Sequence, residues 1–102
     1  MTRKETVKKI VDGDTIETSV RKKQVRIYDL DTPEKGERGY ADAKEGLGKL
    51  IKGEKVTVKP VTTDVYGRTV AKVKKGNALV SNLMRKHQKP PRITPKTPKL
   101  KR

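Results

Sequence analysis

Two carboxylates flank a glycine in Val11-Asp12-Gly13-Asp14-Thr15, a string that a tight turn would present at the end of a strand. A second string runs from Arg26 through Asp29 and Asp31 to Thr32-Pro33-Glu34, where Pro33 fixes its own φ and drives Thr32 to an extended conformation. The third, Asp64-Val65-Tyr66-Gly67-Arg68, puts a phenol and a guanidinium on one turn. Asp14, Asp31 and the Thr32 carbonyl are hard oxygen donors of the kind that Ca²⁺ or Mg²⁺ takes. Arginine suits phosphate, because its planar donors engage two oxygens at once. Together these groups are what phosphodiester hydrolysis demands: an ion held by carboxylates, a base for water, and cations facing the charge that builds on phosphate. Taken singly, each string has a plainer reading as hairpin punctuation, as helix capping, or as a solvated arginine in a turn.

The elements that must position them can be read from periodicity. Thr6 to Val11 is rich in β-branched residues, Ile16, Thr18 and Val20 alternate with Glu17 and Ser19, and Val25 and Ile27 alternate with Arg26 in the run to Leu30. These are three strands in meander, with turns at Asp12-Gly13-Asp14 and Arg21 to Gln24. Tyr40, Ala43, Leu47, Leu50 and Ile51 recur at three- and four-residue steps on one face of a helix that Gly53 ends. Gly46 and Gly48 each weaken that helix by roughly 1 kcal/mol relative to alanine, so packing must hold it. Val56 and Val58 form a strand before Pro60, Val70 to Val73 another, and Ser81 is positioned to cap a last short helix containing Leu83 and Met84. Five strands with two helices in one small domain favour an OB-type β-barrel.

The chain has 102 residues, which permits one domain. Only 30% are hydrophobic and none is Phe or Trp, so the core must be small and aliphatic. Lys and Arg number 27 against 12 acids, and a net charge of +15 attracts polyanions, nucleic acid first among them. No apolar run approaches a membrane span and no basic amphipathic helix is evident, so a membrane partner is not expected. With no Cys, disulfides and thiolate metal sites are excluded. All 12 acids lie between Glu5 and Asp64, whereas residues 85–102 hold eight basic residues and four of the six prolines. That segment is expected to be a disordered basic tail, proper from residue 89 onward, leaving a folded domain over 1–88. Removing its eight charges still leaves +7 on residues 1–84.

Jointly, VDGDT (11–15), VRIYDLDTPE (25–34) and DVYGRTVA (64–71) resemble the staphylococcal nuclease, or thermonuclease, family over roughly residues 5–88. The resemblance implies a five-stranded OB-fold nuclease whose Ca²⁺, with Mg²⁺ or Mn²⁺ as alternatives, is held by Asp14, Asp31 and the main-chain carbonyl of Thr32. It places Glu34 at the general-base position, Arg26 and Arg68 on the phosphate as catalytic guanidiniums, Tyr66 on a phosphate oxygen, and Asp12 behind the ion's ligands. The family's third helix has no counterpart, its place being taken by the Pro-rich basic tail, and tyrosines that flank the base in well-known members are missing. Val65 stands where those members carry a lysine.

The tail is read as a sequence-independent nucleic-acid arm made of Arg85, Lys86, Lys89, Arg92, Lys96, Lys99, Lys101 and Arg102. His87, at its edge, is expected to face solvent. The expected activity is metal-dependent endonucleolytic hydrolysis of DNA and RNA by a cytoplasmic monomer, Met1 to Lys9 lacking the apolar stretch of a secretory signal. One rival is a non-catalytic OB-fold that binds single strands, but such binders use aromatic platforms and only Tyr28, Tyr40 and Tyr66 are available. Another is a structural protein of ribosomal or chromatin type, which leaves the carboxylates unexplained.

Overall fold

The computed structural model describes residues 3–88. The expectations for residues 89–102 lie outside the described residues. Six strands pair in the order β3-β2-β1-β4-β5-β6, and a further pairing of β3 with β5 closes the first five into a ring. The ladders are antiparallel except this closing one, which is parallel and sets Val25, Arg26 and Ile27 beside Thr69, Val70 and Ala71. The sheet thus has the five expected strands plus a two-residue sixth.

Strand β1 (Arg3–Asp12) buries both Val7 and Ile10, three residues apart, which strict alternation forbids. The register against β2 (Thr15–Thr18) slips between Val7 and Lys9, so one extra residue resets the phase and bends the strand. A second slip between Ile10 and Asp12 delivers the chain into the Gly13-Asp14 turn. In β3 (Val25–Ile27) the outer residues are buried and Arg26 points the other way. Strand β4 (Lys55–Thr63) does not stop at Pro60 as its sequence suggested. A register slip between Pro60 and Thr62 accommodates the missing N–H, and pairing with β5 (Thr69–Lys75) resumes to Thr63.

Helix α1 (Tyr40–Ile51) buries Ala43, Leu47 and Ile51, the face that the sequence pattern defines. Gly53 ends it at φ +79° and donates its N–H to the Val7 carbonyl at 2.8 Å, tying the helix to β1. A Cβ on Gly46 would stand 2.7 Å from His87 Nε2, so the imidazole lies against the helix, half-buried and not free in solvent as expected. The last elements are the short strand β6 (Ala78–Leu79), helix α2 (Val80–Leu83) and a 3-10 turn at Arg85–His87. Ser81 lies inside α2, buried, and Leu79 holds the capping position with no side-chain bond, correcting the expected cap. Arg85–His87 fall within the 1–88 span expected to fold.

The core is wholly aliphatic apart from Met84, as the composition requires. One charged pair is set into the ring. Glu5 is 4% exposed, and its carboxylate accepts from Thr18 Oγ1 at 2.7 Å and from Arg21 Nε at 2.9 and 3.0 Å. Among the described residues, no helix is long and apolar enough to cross a membrane.

Candidate active site

The three strings that are far apart in sequence meet in space. Asp14, Arg26, Asp31, Glu34, Tyr66 and Arg68 line one open cleft of about 610 Å³, together with Asp12, Gln24 and Lys35. The turn between β1 and β2 supplies the first aspartate, the segment after β3 the second, and the β4–β5 turn the second arginine.

Asp14 is buried and fixes this junction. Its Oδ2 accepts the Thr32 N–H at 3.1 Å and its Oδ1 the Thr15 hydroxyl at 3.1 Å, so one carboxylate ties the turn to the Asp31-Thr32 segment. Thr32 Oγ1 is itself buried and has no partner. A Cβ on Gly13 would stand 2.6 Å from that hydroxyl and 2.7 Å from Ala43 Cβ, the second of which cannot rotate away. Gly13→Ala is therefore expected to destabilise the fold by about 2 kcal/mol through overpacking, seen as a lower urea midpoint. An unchanged midpoint would show that α1 yields at no cost.

Arg26 leaves β3 on the outer side and is clasped by the loop that follows. Its Nη1 donates to the carbonyls of Ile27 and Leu30. Asp29, at φ 63°, makes the left-handed turn that brings Leu30 back to it. Arg26 Nη2 stands 3.5 Å from Asp14 Oδ2 and 3.6 Å from Asp31 Oδ1. These are contacts of charge too long for good hydrogen bonds. One guanidinium nitrogen thus stands near both carboxylates, which converge on the same arginine.

That convergence is also the test of whether a metal ion fits. Both donors are hard carboxylate oxygens, but no group of three or more His, Cys, Asp or Glu able to hold a metal occurs among the described residues. The set suits a hard ion that takes its remaining ligands from carbonyls, water and substrate phosphate.

Arg68 is held by a residue that the sequence reading treated only as a turn former. Asp64 Oδ2 accepts from Arg68 Nε at 2.7 Å, while Oδ1 accepts the N–H groups of Tyr66 and Arg68, both at 2.9 Å. Arg68 Nη1 reaches Thr15 Oγ1 at 3.5 Å, and its guanidinium carbon lies 5.3 Å from the centre of the Tyr66 ring. Desolvation pushes the Asp64 carboxyl up, but the Arg68 and Tyr66 hydrogen bonds and the Arg68 charge outweigh it and hold it below the usual aspartate range. A depressed folded value means that this contribution is present above the unfolded pKa and is lost as pH falls through the folded one. An NMR titration should show the Tyr66 and Arg68 amides moving together with a midpoint below that of a free aspartate. A midpoint at or above it would contradict the clamp.

Asp12 accepts the Tyr40 hydroxyl at 2.8 Å, and this bond, with burial and the Asp12 charge, raises the Tyr40 phenol above its ordinary value. Tyr40 thus does more than the apolar packing read from the helix pattern. Glu34 is exposed at the cleft, its N–H donating to Glu37 Oε1 at 2.7 Å. Asp31 donates its N–H to Gln88 Oε1 at 3.0 Å, a bond across 57 positions that nothing in the sequence announced. Arg85, assigned to the basic arm, has Nη2 3.6 Å from Asp29 Oδ2 and 3.0 Å from Asn82 Oδ1, and Lys86 is exposed beside it.

A family model described as staphylococcal nuclease homologue matches residues 24–88. Protein ParB of Escherichia coli is 39% identical over 69 residues, covering 66% of this chain and 39% of that protein. Micrococcal nuclease of Shigella flexneri is 38% identical over 69 residues, covering 66% of this chain and 40% of that protein. The chain therefore spans about two fifths of the length of these curated relatives.

Proposed function

The chain belongs to the staphylococcal nuclease family, and from that membership we propose that it is a divalent-metal-dependent phosphodiesterase, with Ca²⁺ the expected ion. On this reading it cuts DNA and RNA internally with little regard for sequence, and the strand ring is the family's OB-fold barrel. One observation carries the proposal: two guanidiniums from distant parts of the chain share a cleft with two converging carboxylates.

Asp14, Asp31 and the Thr32 carbonyl would hold the ion, which when bound supplies positive charge beside the phosphate. Arg26, anchored through Nη1 on two carbonyls, keeps Nη2 as a donor for a phosphate oxygen. Arg68, anchored through Nε on Asp64 and through Nη1 near the Thr15 hydroxyl, keeps Nη2 for another. Glu34 takes a proton from the attacking water as the new P–O bond forms, and the departing alkoxide collects a proton from solvent. Tyr66 offers its hydroxyl to a phosphate oxygen. The two arginines thus face the charge that grows in the five-coordinate transition state.

Incubating the purified chain with single-stranded DNA tests this. Cleavage is expected with added Ca²⁺, Mg²⁺ or Mn²⁺ and none with a chelator. Cleavage that ignores the chelator overturns the metal-dependent mechanism, and binding without cleavage under every ion favours the non-catalytic single-strand binder.

A further inference from the structure

On the far side of Asp12 from the catalytic cleft, a second concavity runs between β1 and α1. It has a volume of about 810 Å³, and its walls include Lys9, Tyr40, Lys44, Glu45, Lys49 and Lys52. The helix sorts its charges. Ala41, Lys44, Gly48 and Lys52 follow one another at three- and four-residue steps and form one stripe, whereas Asp42, Glu45 and Lys49 fall on the next. On that second stripe Lys49 Nζ lies 3.9 Å from Glu45 Oε2, so the acid at the groove's edge faces its own cation. On the first stripe Gly48 alone lies between Lys44 and Lys52, and Ala41 precedes Lys44, so no long side chain of the stripe separates the two lysines. Lys9 stands exposed on the β1 side.

We infer that this lysine groove is a binding track for the phosphate backbone of a polynucleotide, extending the substrate path beyond the catalytic cleft. Its chemistry is that of a polyanion site: Lys9, Lys44, Lys49 and Lys52 line it against one acid, Glu45, which lies beside Lys49. Lys44 and Lys52 are about 12 Å apart at 1.5 Å per residue, a span on which a strand rising 3.4 Å per nucleotide carries roughly three phosphates. The choice of nucleic acid over an acidic protein or a lipid surface rests on continuity. Tyr40 forms a wall of the groove, and its hydroxyl donates at 2.8 Å to Asp12, which lines the catalytic cleft. The groove and the cleft adjoin at that bond, so a strand lying along the lysines has the cleft beside it, and the inference rests on the proposed nuclease reading for its purpose but not for its binding.

The test uses the full chain and a single-stranded oligonucleotide of about twenty residues, with binding followed by fluorescence anisotropy against salt in a chelator to prevent cleavage. The triple variant K9Q/K44Q/K52Q should flatten the slope of log affinity against log salt by about 2, since each lost single-strand phosphate contact removes about 0.7. With metal restored, its KM for the long strand should rise about tenfold while cleavage of a dinucleotide stays unchanged. A control triple, K22Q/K59Q/K74Q, removes the same charge from exposed positions elsewhere and should have a much smaller effect. The inference is overturned by an unchanged slope, by a control as damaging as the groove variant, by equal loss on the dinucleotide, or by a lost affinity for anionic phospholipid vesicles instead. If the parent chain cuts nothing, the nuclease reading fails while the salt slope still decides the groove.

Discussion

Arg68→Ala is expected to slow cleavage of single-stranded DNA by about a hundredfold or more while leaving thermal unfolding close to that of the parent. The size follows from what the side chain does: removing one preorganised donor to a transition-state oxygen typically costs between about 10² and 10³ in rate. The preorganisation is visible in the Asp64 clamp, which holds both the Nε and the main-chain N–H of Arg68 and so fixes the guanidinium at the wall of the cleft. Arg68→Lys should recover little of the loss. An ammonium keeps the charge but gives up the fork that binds carboxylate on one edge and phosphate on the other. The measurement is kcat with saturating substrate, beside a melting curve for each variant. A variant that cuts within a few-fold of the parent would remove Arg68 from the chemistry.

The second large effect concerns stability and is independent of any reading of function. Arg21→Ala should cost about 3 kcal/mol, because it strands the Glu5 carboxylate where water reaches only 4% of its residue surface. Thr18 would remain as a single neutral donor. Urea unfolding should show a lower midpoint with the slope unchanged. Replacing both partners, as in Glu5→Leu with Arg21→Met, should restore most of the loss, since apolar residues of similar volume need no partner. If the double variant is no better than the single one, the loss comes from the packing of the Arg21 stem and not from the stranded charge.

How far the sequence exposed all this depended on the range of each interaction. The strands and α1 were legible because burial repeats with the period of the element, as Ala43, Leu47 and Ile51 show. The same local rule failed where a register slip changes the phase, at Val7 and Ile10 in β1 and past Pro60 in β4. Ser81 has a capping residue's chemistry, but the pairing of β6 with β5 starts the helix two residues earlier, after Leu79. Of the site, the strings holding Asp14, Arg26, Asp31, Glu34, Tyr66 and Arg68 were readable, and the structure brings them to one cleft. Their supports were not. Asp64 looks like any turn aspartate until its partner Arg68 is seen, and the Gln88 contact with Asp31, the Tyr40 bond to Asp12 and the Glu5 pair with Arg21 are made by folding over long separations. Asp64 could have been suspected, since an acid four residues before a candidate arginine in a Gly-containing turn is placed to bond it.

The closing parallel ladder between β3 and β5 has a kinetic meaning. Arg26 lies within that seam and Arg68 immediately precedes it, so the spacing of the two guanidiniums is gauged by neighbouring backbones and not by the reach of flexible loops. The seam joins residues more than forty positions apart, a contact whose loop entropy must be met before it gives anything back. A chain with its earlier hairpins formed but its seam open would hold Arg26 near Asp14 yet leave Arg68 unplaced against either. On the proposed reading, cleavage would then await the closed ring, and turnover would serve as a reporter of ring closure.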